Sequence, residues 1–358
     1  MTRQNRPVPI STQTVAAIPV GLDPEGTAVD TRRRRAYVAC SRSDTLAVVD
    51  LAAAAVVTHV AVGAEPIDVV FDERTDRIFT ADAHADALSV VDAETLTVQA
   101  RVPVGAYPSG LTLDVDERRL YCGNSMGSTM SVLDLDTLET LAVVDAEPGA
   151  GAVAVDATRR LALCVNFIAA SVTFVDIDTF EPTGRVEVGQ GACAVGIVSE
   201  RGEAFVVNSL AGTVARIDLD SRAVVEELTA GSAPVGLTVA PEHDRVYVTN
   251  RGDGTVSVLS VVDGSECGRI DVGEGPGGVV VDPDDGRLLV ANAGSGTLEI
   301  VEETQRDGVE DAPAEGVLAQ LVGRRLPAFS LPDHHTGEQR TSLEWAERRY
   351  ILNFFASW

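Results

Sequence analysis

Asp68, Asp82, His84 and Asp86 are the residues whose types and spacing best suit chemistry. Three carboxylates and an imidazole presented on one face could hold a divalent cation, and no other cofactor is suggested. The competing expectation is simpler, because acidic loops in an acidic protein are usually just solvated. The five cysteines, Cys40, Cys122, Cys164, Cys193 and Cys267, are widely spaced. They form no C-x-x-C, no haem-attachment motif and no Cys/His cluster suited to zinc, so they read as small buried apolar residues. The run Arg32–Arg35 reads as a solvated turn, with an anion site as its rival. His59 and His243 stand alone, and no Ser/His/Asp order or carboxylate pairing points to hydrolysis. No catalytic residue is assigned.

The chain has 358 residues, 54 acidic and 28 basic, for a net charge of −26. Every basic residue is Arg. Such a charge repels nucleic acid and anionic membrane surfaces, so neither is an expected partner. An apolar fraction of 45% is enough for a core. The first ten residues are polar, no signal peptide is visible, and no apolar run could span a bilayer. As written, the chain is expected to be cytoplasmic; a start lying further upstream would make it extracytoplasmic.

The elements that must position these residues come from a repeat. A glycine column runs Gly21, Gly63, Gly105, Glu147, Gly189, Gly231 and Gly273, in steps of 42 residues. A second column reads Cys40, Asp82, Asn124, Asn166, Asn208, Asn250 and Asn292. Asp68 occupies a column that otherwise holds Gly or Ala. Each unit carries four short Val-rich runs separated by Gly, Asp and Pro turns. In the sixth unit these are Val235–Val239, Arg245–Asn250, Thr255–Leu259 and a run ending near Val272. Four-stranded units of about 40 residues predict an all-β, seven-bladed β-propeller over residues 14–302. The seventh unit lacks its fourth strand, and residues 14–20 at the N-terminus are expected to supply it. Cys122 and Cys164 then sit on adjacent sheets about 10 Å apart, too far for a disulfide, which predicts free thiols.

Tyr247-Val248-Thr249-Asn250 is the signature of the YVTN β-propeller repeat family, with weaker copies ending at Asn124, Asn208 and Asn292. The chain resembles that family over residues 14–302. The resemblance implies the fold and is nearly silent on function, since such propellers serve as surface-layer, binding and dehydrogenase-associated modules. Asn124, Asn166, Asn208, Asn250 and Asn292 are expected to be structural, their carboxamides satisfying backbone groups at strand ends. A protein or small-molecule ligand on one propeller face, and a monomeric chain, are the partner expectations.

Residues 303–320 begin an acidic linker. Beyond it, 321–358 resemble the opening of a redoxin, a thioredoxin-like thiol–disulfide oxidoreductase or peroxiredoxin. Gly323-Arg-Arg-Leu-Pro-Ala-Phe-Ser-Leu-Pro-Asp333 and Asn353-Phe-Phe-Ala-Ser-Trp358 carry that resemblance. It implies an incomplete α/β segment and an active-site Cys-x-x-Cys beyond Trp358, which would make the chain a fragment. The expected function is thus a non-catalytic propeller serving a redoxin. The alternatives are a stand-alone surface or partner-binding propeller and a lactonase-like or metal-assisted hydrolase.

Overall fold

The structure, a computed structural model, describes residues 11–304, 330–332 and 339–341. The chain divides into two units, 1–305 and 306–358. In the second, Ser330–Pro332 pairs antiparallel with Gln339–Thr341. The redoxin-like motifs otherwise lie outside the described residues, as does the linker from residue 305 onward.

The first unit is an all-β ring of seven four-stranded antiparallel sheets. The innermost strands are Pro24–Asp30, Pro66–Asp72, Pro108–Asp114, Ala150–Asp156, Ala192–Val198, Pro234–Ala240 and Pro276–Val281. They define blades one to seven in that order. Each packs against the next, and the seventh packs against the first. Such convergence leaves little room for side chains. A Cβ on Gly278 would stand 2.2 Å from the Glu25 carbonyl oxygen, and one on Gly236 would stand 2.3 Å from that of Gly277.

The second and third strands of each blade are near-continuous apolar runs whose side chains alternate between two buried faces, one packed on the preceding blade and one on the next. Seven apolar clusters fill the seven spaces between blades. The closing joint is built from both ends of the unit. Ser11–Pro19 pairs antiparallel with Thr297–Thr304, completing blade seven. Ile18 and Val20 enter the cluster that also holds Val38, Ala47, Leu289 and Leu298. His59 Nε2 donates to the Val20 carbonyl at 2.7 Å. The closing strand begins three residues before the expected Thr14. Its polar start, Ser11-Thr-Gln13, still forms ladder pairs with Glu302, Glu303 and Thr304.

The antiparallel meander sends two kinds of connection to each face. The upper face carries the loops between second and third strands and the links from each outer strand to the next inner one. The lower face carries the tight turns. There the Arg run departs from the expected solvated turn. Arg33 pairs with Asp30, Asp76 and Glu94, Arg32 with Glu73 and Asp76, and Arg34 with Asp282, Asp284 and Asp285. Arg35 donates to the Ala93 carbonyl at 3.2 Å. The run clasps blade one to blade two on one side and to blade seven on the other. Three of its guanidinium groups already have carboxylates and the fourth a backbone carbonyl, so they do not form an open anion site.

Burial of Ile18 and Val20 contributes roughly 3–6 kcal/mol, and their loss also opens a sheet edge. A variant lacking residues 1–20 is therefore expected to lose its single cooperative thermal transition. Circular dichroism melts checked against calorimetry test this; an unchanged transition would refute the closure.

Candidate functional site

The two sequence columns meet where each inner strand begins. Asn250 Oδ1 accepts from Gly231 N at 2.9 Å, while its Nδ2 donates to Thr255 and Ser257 hydroxyls at 3.0 Å. Asn166 is held likewise between Glu147 N, Ser171 and Thr173. Asn124, Asn208 and Asn292 bond the equivalent Thr129, Thr213 and Thr297. A Cβ on Gly231 would fall 2.4 Å from the Asn250 carboxamide carbon, which is why this column is almost all glycine. The pairs fix the links into the inner strands and so fix the mouth of the ring.

Asp82 occupies the same position in blade two and is fully buried. Its carboxylate accepts from Thr80 Oγ1 at 2.7 Å, from Ser89 Oγ and from Gly63 N at 3.1 Å. Asp86 is the left-handed residue that ends its loop (φ 49°), a conformation Asp tolerates. Its Oδ1 accepts from Tyr107 N at 2.9 Å, bracing blade two to blade three. Asp44 does the same for Glu65 N. His84 is exposed, in contact with the Glu65 carboxylate through Nδ1, and edge-on to Tyr107. Asp68 lies in the central channel instead. The four expected ligands are thus drawn into separate surroundings. No three His, Cys, Asp or Glu side chains among the described residues are grouped to hold a metal ion.

The channel is a cavity of about 270 Å³ reached by all seven inner strands. Its lining is uneven. Blades one to three contribute Glu25, Thr27, Asp68 and Ser109 together with the apolar Ile67 and Leu111, whereas the large side chains from blades four to seven are Val153, Val195, Val235, Leu237 and Val279. Glu25 is ion-paired with Arg251, which reaches it from blade six. Asp68 accepts from Val69 N and Leu111 N, both at 2.8 Å. Burial outweighs those two bonds and pushes its carboxyl up to about 6. On blade three, burial and then the Asp68 charge push the Cys122 thiol up.

Around the mouth, the upper face is split by chemistry. One loop position reads Arg42, His84, Met126, Ile168, Leu210, Gly252 and Gly294 around the ring. Met126, Ile168 and Leu210 are 74%, 74% and 70% exposed, and Phe167 next to them is 41% exposed. This apolar crescent spans blades three to five. The opposite sector carries Asp23, Glu25, Asp44, Glu65 and Asp86. Only the positions of these apolar residues in the repeat could have revealed the crescent from sequence, because their types suggest no chemistry.

Residues 57–245 match the family model described as YNCE-like beta-propeller, which is just over half of the chain. A solved chain of Kuenenia stuttgartiensis hydrazine synthase superposes with a TM-score of 0.66 at 19% identity. The match covers 80% of this chain and 96% of that one, and at this identity the likeness is one of fold. No curated protein matches the chain in sequence. No described helix is long and apolar enough to cross a membrane.

Because its folded-state pKa is raised, Asp68 takes up a proton on folding between roughly pH 4 and pH 6. The wild type therefore loses stability relative to Asp68→Ala as pH rises through that window. Paired melts from pH 3.5 to 7.5 should show the gap moving in favour of the variant, then levelling off. A gap that does not change with pH would contradict a half-buried carboxylate without a cationic partner.

Proposed function

Since the chain belongs to the YNCE-like beta-propeller family, we propose that its propeller is a non-catalytic module that binds a protein partner on the upper face. The observation that carries this reading is the crescent of Met126, Ile168 and Leu210, three large apolar side chains exposed at one loop position in consecutive blades. Exposed apolar groups clustered beside a polar rim are a feature of interaction surfaces. The acidic sector and the net charge of −26 favour a partner segment that sets Arg or Lys beside bulky apolar side chains. Rigid loops on a closed ring suit a scaffold, because little order has to be imposed on binding.

A finer reading rests on residues 321–358, whose likeness to a redoxin opening supports a propeller that serves thiol–disulfide chemistry. The propeller itself is not the source of such chemistry. All five cysteines are free. Burial pushes the thiols of Cys40, Cys164 and Cys193 up to about 12, far from the thiolate that exchange requires. Ellman's reagent at pH 8 is expected to react slowly with the native chain and with all five thiols in guanidinium. Fast reaction of the native chain would revive a redox role for the blades.

Selection of random peptides on the immobilised chain tests the partner reading. It should enrich sequences that alternate Arg or Lys with Leu, Phe or Trp. The combined Met126→Ser, Ile168→Ser and Leu210→Ser variant should melt like the wild type and weaken the selected peptides by about 2 kcal/mol or more. Enrichment of acidic peptides, or binding untouched by the substitutions, would refute the proposal.

A further inference from the structure

The channel beneath that face has a separate chemistry. Six of the seven blades place Gly or Ala at the position of Asp68: Gly26, Gly110, Ala152, Ala194, Gly236 and Gly278. The exception puts a half-buried carboxylate among the inner strands, where a charge drawn away from water is stabilised by a partner of opposite sign. Glu25 has one in Arg251. Asp68 has none among the described residues, only two backbone N–H donors. A carboxylate accepts about four hydrogen bonds, so it retains roughly half its capacity. Thr27 Oγ1 and Ser109 Oγ, on the blades either side, line the same cavity. Both oxygens are buried, and neither has a partner among the described residues.

We propose that the channel binds a small organic ammonium ion, with its cationic head at Asp68 and its apolar body against Val153, Val195, Leu237 and Val279. A primary ammonium has three N–H donors, and the Asp68 carboxylate, with about half its accepting capacity unused, is the acceptor the channel offers them. The Val and Leu wall suits the hydrocarbon part and does not suit a hydrated metal ion, which needs six or more oxygen ligands when it is calcium. The volume sets the size. A cavity of about 150 Å³ accepts benzene, so about 270 Å³ has room for a benzene-sized body and its aminomethyl group. The site stands on Asp68 and the channel wall, not on the apolar crescent, so it can fail or hold independently of the partner proposal.

Isothermal titration of the full chain at pH 7.5 with benzylamine, benzyl alcohol and benzoate tests this. Benzylamine should bind about tenfold tighter than benzyl alcohol or better, as expected for a hydrogen bond to a charged group, and benzoate should not bind. Asp68→Ala installs the residue that blades four and five carry, and should abolish the preference for the amine while the ring still melts cooperatively. Asp68→Asn keeps the volume and should abolish it too. The proposal is overturned if benzylamine binds no tighter than benzyl alcohol, or if either variant retains the preference.

Discussion

The ladder between residues 11–19 and 297–304 is the interaction on which the rest depends. Six blades are continuous in sequence, and each is held by its neighbours. The seventh is finished only when the N-terminal strand returns to it. That pairing removes an open sheet edge and delivers Ile18 and Val20 into the space between blades seven and one. On the lower face, Arg34 reaches the buried Asp282 across the same joint. With the ring closed, the seven inner strands converge on one channel, and the upper loops are held at set angles around its mouth.

A repeat scaffold separates the task of folding from the task of recognition. The positions that build each blade hardly vary: Gly231 against Asn250 in blade six is repeated as Gly63 against Asp82 in blade two. Where position and environment are the same but the residue changes, the change is free to serve binding. Met126, Ile168 and Leu210 share a loop position with Arg42, His84, Gly252 and Gly294, so the sector of blades three to five is apolar there while blades one and two carry polar side chains. Asp68 is the same kind of departure inside the channel. The asymmetry lies in side chains alone, on a backbone that is nearly sevenfold.

The fold was largely legible because its information is periodic. Gly and Pro turns at an unvarying 42-residue spacing mark the blades, and the expected second and third strands of blade six, Arg245–Asn250 and Thr255–Leu259, match those observed. The site was less legible, for a geometric reason. Asp82 and Asp86 are neighbours in sequence, yet one faces Thr80 and Ser89 inside the sheet while the other closes a left-handed turn. Closeness along the chain therefore said nothing about convergence, and the supposed ligand set did not assemble. The Arg32–Arg35 run was opaque for the opposite reason: Arg34 finds its carboxylates some 250 residues away. Asp68 was visible as a departure from its column, but its burial emerged only once seven strands surrounded it.

Native-state hydrogen exchange tests the central claim, that the ring is closed and rigid, most directly. If the N-terminal strand is an integral part of blade seven, the hydrogen-bonded amides of residues 11–19 exchange as slowly as those of Leu288–Asn292, and only through global unfolding. Fast exchange across residues 11–19, with the blades still protected, would mean that the ring stands without its closing strand, and would contradict closure as the basis of the fold.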